Sequence, residues 1–381
     1  MFLNAIVEKV KTRIQIQKMI INPQQMRSLA LEMASRDFLM PAEALLPVEG
    51  PLPAEALLPA EARGSESVID RSILFRPIQG NRRSLAHAIS VSPFQVIAEI
   101  KQASPSQGQM VTEFDPLRMA QAYREGGAAA LSVLTEQDYF KGSLEIFDQV
   151  RSITSLPMLR KDFILDPYQI DQSRRHGADC ILLIVRLLSP AQLREFRNRA
   201  LQLGMDVLVE VHDEAELELA LEIMPATPLS AGADHTSMSG RSPGAGCSPG
   251  AGRSPGAGCS PGAGCSPGAG CSPGMDQPDI RIVPNDLLFS SELGPSTRIQ
   301  PSATIIGINN RNLDSFQVDL GVSLRLRPRI PSGIVTVSES GIRNRQDILK
   351  LQDAGFDAAL VGQSLMQSGD PRHDLQHLLG R

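Results

Sequence analysis

The chain has no tryptophan and only three tyrosines among its 381 residues. An aromatic platform on which bases could stack is therefore not expected. Charge of one sign is missing as well: 37 Lys and Arg stand against 42 Asp and Glu, a net of -5. No basic excess exists to neutralise a phosphate backbone, which argues against nucleic acid as a partner. A small anionic ligand held by a few local cations remains compatible with these totals. The apolar run at 180–185 stops at Arg186, far short of a membrane span. Residues 1–18 alternate apolar and charged side chains and lack the apolar core of a signal peptide. The expectation is a soluble cytoplasmic protein with no membrane partner. No Ser-His-Asp or Cys-His arrangement is evident, and no Gly-x-Gly-x-x-Gly follows the first expected strand. His373 and His377, near Leu375, Leu378 and Leu379, read as solvated positions on a terminal helix.

Cysteine is equally uninformative. Four of the five (Cys247, Cys259, Cys265, Cys271) fall in a hexapeptide, Ser-Pro-Gly-Ala-Gly-Cys/Arg, that runs five times from Ser242. They recur every six residues because the repeat does. A zinc site would want closely paired cysteines with histidine nearby, so no metal and no disulfide framework is expected. Such a Pro/Gly-rich tract cannot build a core and reads as a flexible arm. A second foreign stretch lies earlier, where 41–52 and 53–64 nearly duplicate each other, each opening Pro-Ala-Glu-Ala-Leu-Leu-Pro.

With 224–303 set aside, the pattern alternates. Strand-like apolar runs occur at 96–101, 129–135, 158–162, 180–185, 206–211, 304–309, 334–338 and 358–362. Helix-like stretches such as 116–125, 190–203 and 345–354 separate them, and Asp213-x-x-Glu216 opens a capped amphipathic helix. Short, nearly all-apolar strands alternating with helices argue for a parallel sheet covered on both faces. Eight is the number that closes a (β/α)8 barrel; a doubly wound open sheet is the alternative. The expected architecture is thus an α/β (β/α)8 TIM barrel in two parts, 96–223 and 304–381. A helical N-terminal extension, 1–95, precedes it, and the low-complexity insertion, 224–303, separates helix 5 from strand 6.

In such barrels chemistry sits at the C-terminal ends of the strands, and here those ends are unusually polar. Glu99 and Lys101 end the first, and as residues two apart they share a face. Arg160-Lys161-Asp162-Phe163 ends the third, Val209-Glu210-Val211 the fifth, Asn309-Asn310-Arg311 the sixth. Ser338-Glu339-Ser340-Gly341 ends the seventh and Gly362-Gln363-Ser364 the eighth. One such end could be a rim salt bridge, but six with the polar group at the same end make a site. Loops after strands seven and eight often bind phosphate, since glycine lets the backbone approach the anion. Ser340, Gly341, Gly362 and Gln363 fit that description, with Glu339 a candidate for hydroxyl contacts. Two lysines and two glutamates in one mouth suit acid–base chemistry, with the two ammonium groups expected to lower the pKa of one of them.

These segments resemble the indole-3-glycerol phosphate synthase family. The resemblance rests on Ile97-Ala98-Glu99-Ile100-Lys101…Ser104-Pro105-Ser106, Leu131-Ser132-Val133-Leu134-Thr135…Tyr139-Phe140…Gly142-Ser143, Leu159-Arg160-Lys161-Asp162-Phe163, Gly307-Ile308-Asn309-Asn310-Arg311-Asn312-Leu313 and Ser338-Glu339-Ser340-Gly341-Ile342. It runs in order over about 80–367, and Arg83-Ser84-Leu85 and the helix at 3–18 resemble the family's pre-barrel segment. It implies a cofactor-free ring closure in tryptophan biosynthesis, with loss of carbon dioxide and water from 1-(2-carboxyphenylamino)-1-deoxyribulose 5-phosphate. By the same resemblance, Lys161 is the general acid at the ribulose carbonyl. Glu210 is the acid/base of dehydration, with Glu99 as its partner. Lys101 holds the substrate's anionic groups or shares the proton transfer. Ser104 lies in the substrate-binding set, and Phe140 and Phe163 bracket the aromatic ring. Asn309, Arg311, Glu339 and Ser340 meet the sugar or carboxylate, and Gly341, Gly362 and Gln363 the phosphate.

Two departures stand out. Gln102 occupies a position where the family often carries a basic residue, and the insertion replaces a connection of a few residues. Two other readings compete: another phosphate-binding barrel such as phosphoribosylanthranilate isomerase, which would not need both lysines, and a degenerate barrel whose repeat arm has become an interaction module.

Overall fold

In a computed structural model, eight parallel strands close on themselves in the order β1-β8-β7-β6-β5-β4-β3-β2. They are β1 (Gln95–Ile100), β2 (Ala130–Leu134), β3 (Met158–Lys161), β4 (Cys180–Ile184), β5 (Asp206–Val211), β6 (Thr304–Asn309), β7 (Thr336–Glu339) and β8 (Ala358–Val361). Closure is made by β1, which pairs with β8 through Gln95↔Ala358 and with β2 through Ile97↔Ala130. The structure describes residues 2–39, 83–91, 94–105, 107–110, 113–224 and 302–381, all within the unit formed by Met1–Pro225 and Ile299–Arg381. The duplicated segment at 41–64 and the repeat at 242–274 lie outside the described residues.

Outer helices follow the strands: α4 (Pro116–Gly126), α5 (Leu144–Ile153), α6 (Pro167–Arg175), α7 (Pro190–Gln202), α8 (Glu214–Ile223), α9 (Gly321–Leu326), α10 (Arg345–Asp353), α11 (Gln363–Met366) and α12 (Pro371–Leu379). Their starts are written in the sequence. Asp115 and Asp166 cap α4 and α6 with proline in the first turn, and Ser189 with Gln192 makes a full capping box on α7. His373 and His377 lie exposed on α12.

Strand alternation divides the strands between two cores. Val96, Ala98 and Ile100 of β1 pack outward with the helices, while Ile97 joins the interior with Leu159, Leu208 and Val337. The inward set continues to Glu99, Lys161, Glu210 and Glu339, one layer higher at the C-terminal mouth. Arg160 shows the alternative fate of a charge on a strand. It points outward and is buried, donating to Thr135 Oγ1, Gln169 O, Ser173 Oγ and Asp162.

Three helices precede the barrel: α1 (Phe2–Ile20), α2 (Pro23–Leu39) and α3 (Leu85–Ser90). Ile6, Val10 and Ile14, four apart, give α1 its buried stripe. Phe2 meets Tyr139 and Phe316 edge-on, at 4.9 and 5.1 Å, in the loops after β2 and β6. Leu85, Ala86 and Ile89 of α3 are buried in the inner core. Asp206, at the start of β5, ties α3 down by accepting from Ser84 Oγ and Ala86 N.

The expected strands lie within about two residues of the observed ones. The largest shift is in β7, which begins at Thr336 and carries Glu339 as its last residue, so that Glu339 points inward and Ser340 lies beyond the strand. The chain just after Lys101 contains a short ladder, Ala103–Ser104 against Gly108–Gln109. The insertion falls between α8 and β6, as the sequence places it. Among the described residues no helix is long and apolar enough to cross a membrane.

Candidate active site

Four carboxylates and two ammonium groups meet at the C-terminal mouth. Lys101 Nζ lies 2.6 Å from Glu99 Oε1. Lys161 Nζ lies 3.0 Å from Glu210 Oε2 and 3.3 Å from Glu339 Oε2. Glu210 and Glu339 are each about 1 % exposed. The fourth carboxylate, Glu216, stands behind Glu210, beyond His212. Glu99 thus pairs with Lys101, with which it shares a strand face.

The electrostatics follow from this crowding. Burial by itself would lower the pKa of Lys161, but Glu210, Glu339 and Glu99 outweigh it and hold the ammonium charged well above its ordinary range. This reverses the expected depression: carboxylates, and not a second ammonium, dominate its surroundings. Burial pushes Glu210 up, yet Lys161, His212 and the Asn309 amide together hold it well below the usual carboxylate range. For Glu339, burial prevails over Lys161, helped by repulsion from Glu210, and its pKa rises to about 8. Two buried glutamates that touch one lysine are therefore driven apart, one ionised and one protonated near neutrality.

Glycine makes room for both outer carboxylates. A Cβ on Gly307 of β6 would lie 2.3 Å from Glu339 Oε1, and one on Gly362 would lie 2.5 Å from Glu99 Oε1. Gly362, expected to face an anion, also has this packing reason to be glycine.

The other candidate residues line the same mouth. Asn309 Oδ1 accepts from Arg311 N, which fixes the turn out of β6. Arg311 Nη1 donates to Phe316 O. Ser104 sits half-buried in the ladder after β1. Phe140 and Phe163 face one another with ring centroids 6.3 Å apart and planes tilted by 46°. Ser340 and Gly341 take consecutive positive φ values of 66° and 86°, which turns the chain sharply out of β7. Gln363 begins α11 directly after Gly362. Ser364 Oγ donates to Ile342 O and so binds the two last loops together.

The family model described as indole-3-glycerol phosphate synthase matches residues 63–227 and 292–378. Among curated relatives of that description, the protein of Chlorobium phaeobacteroides is 40% identical over 281 residues, 74% of this chain and 79% of the relative. That of Chlorobium phaeovibrioides is 38% identical over 278 residues, covering 73% and 78%. That of Bordetella pertussis is 36% identical over 302 residues, covering 79% and 86%.

The chain belongs to the indole-3-glycerol phosphate synthase family.

For a member of this family, three parts of the site escaped the sequence reading. Glu339 was placed among hydroxyl contacts, but inward register puts it beside Lys161. Asn310 was passed over between its neighbours. Its Nδ2 donates to Ser338 Oγ, Glu339 O and Ser340 O, and its Oδ1 accepts from Ser323 N, so it clamps the end of β7. Glu136 accepts from the amides of Asp138, Tyr139 and Phe140, which orders the Phe140 loop. A polar side chain one or two residues past a strand end was the available signal for Asn310 and Glu136.

Proposed function

We propose that this chain closes the indole ring, converting 1-(2-carboxyphenylamino)-1-deoxyribulose 5-phosphate to indole-3-glycerol phosphate with release of carbon dioxide and water. This is the carboxy-lyase activity of its family. The observation that carries the reading is Lys161 in the mouth of the barrel, its Nζ 3.0 Å from Glu210 and 3.3 Å from Glu339.

In the first step the aromatic carbon bearing the carboxylate bonds to the ribulose carbonyl carbon. Lys161 Nζ–H gives its proton to the carbonyl oxygen as charge develops there. The bond to the carboxylate then breaks, its electron pair restores the aromatic ring, and carbon dioxide leaves. In the second step the new hydroxyl takes a proton from Glu339 and departs as water, while a proton is lost from the neighbouring carbon. Glu210, ionised and 3.0 Å from Lys161, accepts that proton. Protonated Glu339 can donate to the sugar without adding a second negative charge to the pocket. Lys101, with Glu99 fixing its rotamer, faces the substrate's anionic groups.

Around this centre, Phe140 and Phe163 offer an angled apolar wall to the aromatic ring. Ser104, Asn309 and Arg311 reach the sugar and carboxylate. Ser340, Gly341, Gly362 and Gln363 receive the phosphate, supported by the sharp turn at 340–341 and the helix start at Gln363.

Purified full-length chain mixed with the substrate should develop indole fluorescence with one carbon dioxide released per product. Stable folded protein that yields neither would overturn the reading.

A further inference from the structure

Behind Glu210 lies a chain of charges that the reaction as described does not use. Residue 212 shares the inward parity of Glu210 and stands one layer above it. His212 Nε2 lies 3.4 Å from Glu210 Oε1, and its Nδ1 lies 2.9 Å from Glu216 Oε2. The same Glu216 oxygen accepts the backbone N–H of His212 at 2.8 Å, so ring and main chain are gripped together. Glu216 Oε1 in turn accepts from Arg186 Nε at 2.7 Å. Arg186 stands 3.7 Å from both Asp213 and Asp314, tying the loops after β4, β5 and β6 into one unit. The sequence reading took Glu216 for an ordinary capping glutamate. Asp213 does cap α8, but Glu216 spends its carboxylate on His212 and Arg186.

The imidazole is 5 % exposed and faces a carboxylate at each nitrogen. A neutral ring could donate to only one of them. With Nδ1–H given to Glu216, the Nε2 lone pair would point at Glu210 Oε1, a repulsive contact in a dry pocket. The imidazolium turns an N–H toward each: Nδ1 is hydrogen-bonded to Glu216, while Nε2 and Glu210 Oε1 make an ion-pair contact that is not an aligned hydrogen bond. The groups facing the ring are Glu210 and Glu216; Arg186 acts through Glu216, and Lys161 through Glu210. Burial favours the neutral ring, but the two carboxylates prevail and raise its pKa to about 9.

We propose that His212 is a positioning residue for Glu210: clasped by Glu216 as an imidazolium, it presents Nε2–H to Glu210 and keeps that carboxylate ionised for the dehydration step. The inference rests on Glu210 being the base of that step. It adds a reason why a glutamate as deeply buried as Glu339 nevertheless ends in the opposite protonation state.

Two measurements test it. The first is the pH profile of kcat for the wild type, His212→Gln and Glu216→Gln. His212→Gln keeps an N–H donor and removes the charge, so the acidic limb should move up by about one pH unit and kcat should fall about tenfold, with KM within about twofold. Glu216→Gln should move the limb the same way. Folded variants with lower kcat and an unmoved limb would overturn the proposal, since a packing role alone leaves the limb in place. The second is histidine ring NMR, with His212 assigned by its loss in His212→Gln. His212 should stay protonated at about pH 7.5 in the wild type and titrate at lower pH in Glu216→Gln. A neutral wild-type His212 at that pH would overturn the proposal. Because the NMR needs no turnover, an inactive wild type would count against the ring-closure reading and leave this one to be decided separately.

Discussion

At the N-terminal end of the barrel, carboxylates are matched with hydrogen-bond donors; at the C-terminal end two of them, Glu210 and Glu339, crowd one lysine. Asp206 accepts from Ser84 Oγ, Ala86 N and Ala303 N. Asp357 accepts from Thr336 N and Oγ1. Asp179 accepts from Met158 N and Arg151 Nη1. Burial raises the pKa of Asp179 even there, against the pull of Arg151, Arg83 and Arg174, so a raised carboxylate is not by itself a sign of catalysis. The difference is in the donors. At the mouth, Glu339 approaches Lys161 at 3.3 Å but has no aligned hydrogen bond on either oxygen. Buried polar atoms without partners are costly and uncommon. One end of the barrel spends its charges on holding α3 and the strand starts in place. The other keeps donor capacity and acceptor capacity open for a substrate.

The sharpest way to break this contrast is to swap the consequences of mutation at the two ends. Lys161→Ala should cut kcat by about a thousandfold while the thermal midpoint stays near the wild-type value. Asp206→Ala should do the reverse. It strands three donors, costs about 3 kcal/mol of stability in chemical denaturation, and leaves turnover per folded molecule within a few-fold. If Asp206→Ala abolished turnover in a folded protein, or Lys161→Ala left it intact, the division between the ends would be wrong.

A smaller effect is expected from crowding the open end. Gly307→Ala drives a methyl group against Glu339 Oε1, so kcat/KM should fall by about ten- to a hundredfold with little loss of secondary structure. An unchanged kcat/KM would mean that the placement of Glu339 is immaterial.

The pH dependence of stability separates the ends more gently. His212, with its folded pKa raised to about 9, contributes stability that is full below its unfolded value near 6.5 and lost as pH rises through about 9. Glu339, raised to about 8, stays protonated in the fold while the unfolded chain's glutamate ionises from about 4.5 upward, so stability falls between about 4.5 and 8. Both push the same way. The denaturant midpoint should fall between about pH 6.5 and 9, by the equivalent of about 2–3 kcal/mol for His212. The fall should be shallower in His212→Gln. The depressed pKa of Glu210 works in the opposite direction, but only in acid, below this window.

The smallest effect is expected from removing the segment between α8 and β6. Loop closure costs grow with the logarithm of length, about 0.6 kcal/mol per doubling. Deleting 226–302 and joining α8 to β6 through a short turn should leave kcat within a few-fold. A folded deletant without activity would overturn that expectation.

Much of this was legible in the sequence. Eight apolar runs of strand length with helices between them sufficed for the barrel, because a strand buried on both faces needs no polar alternation. Glu99, Lys161 and Glu210 were legible as well, because a charge interrupting such a run has few places to go but the mouth. Glu339 was half legible. Its residue type drew notice, but its neighbour depended on where β7 begins, and a shift of two residues was enough to move it into the strand. His212 and Asn310 drew no notice as site residues, since each sits one position past a strand end, where a polar residue is ordinarily a loop residue.

Residue order along the chain thus determined the architecture and the inventory of acids and bases, since both follow from local periodicity and from the cost of burying charge. Their pairing was decided by the closed barrel. Lys161 meets Glu210 and Glu339 from strands 49 and 178 residues further along, brought near only because β3, β5 and β7 share one interior. The same closure drives the pKa values of those two glutamates in opposite directions, Glu210 down and Glu339 up, a distinction set by what surrounds each carboxylate and by nothing in the residue itself.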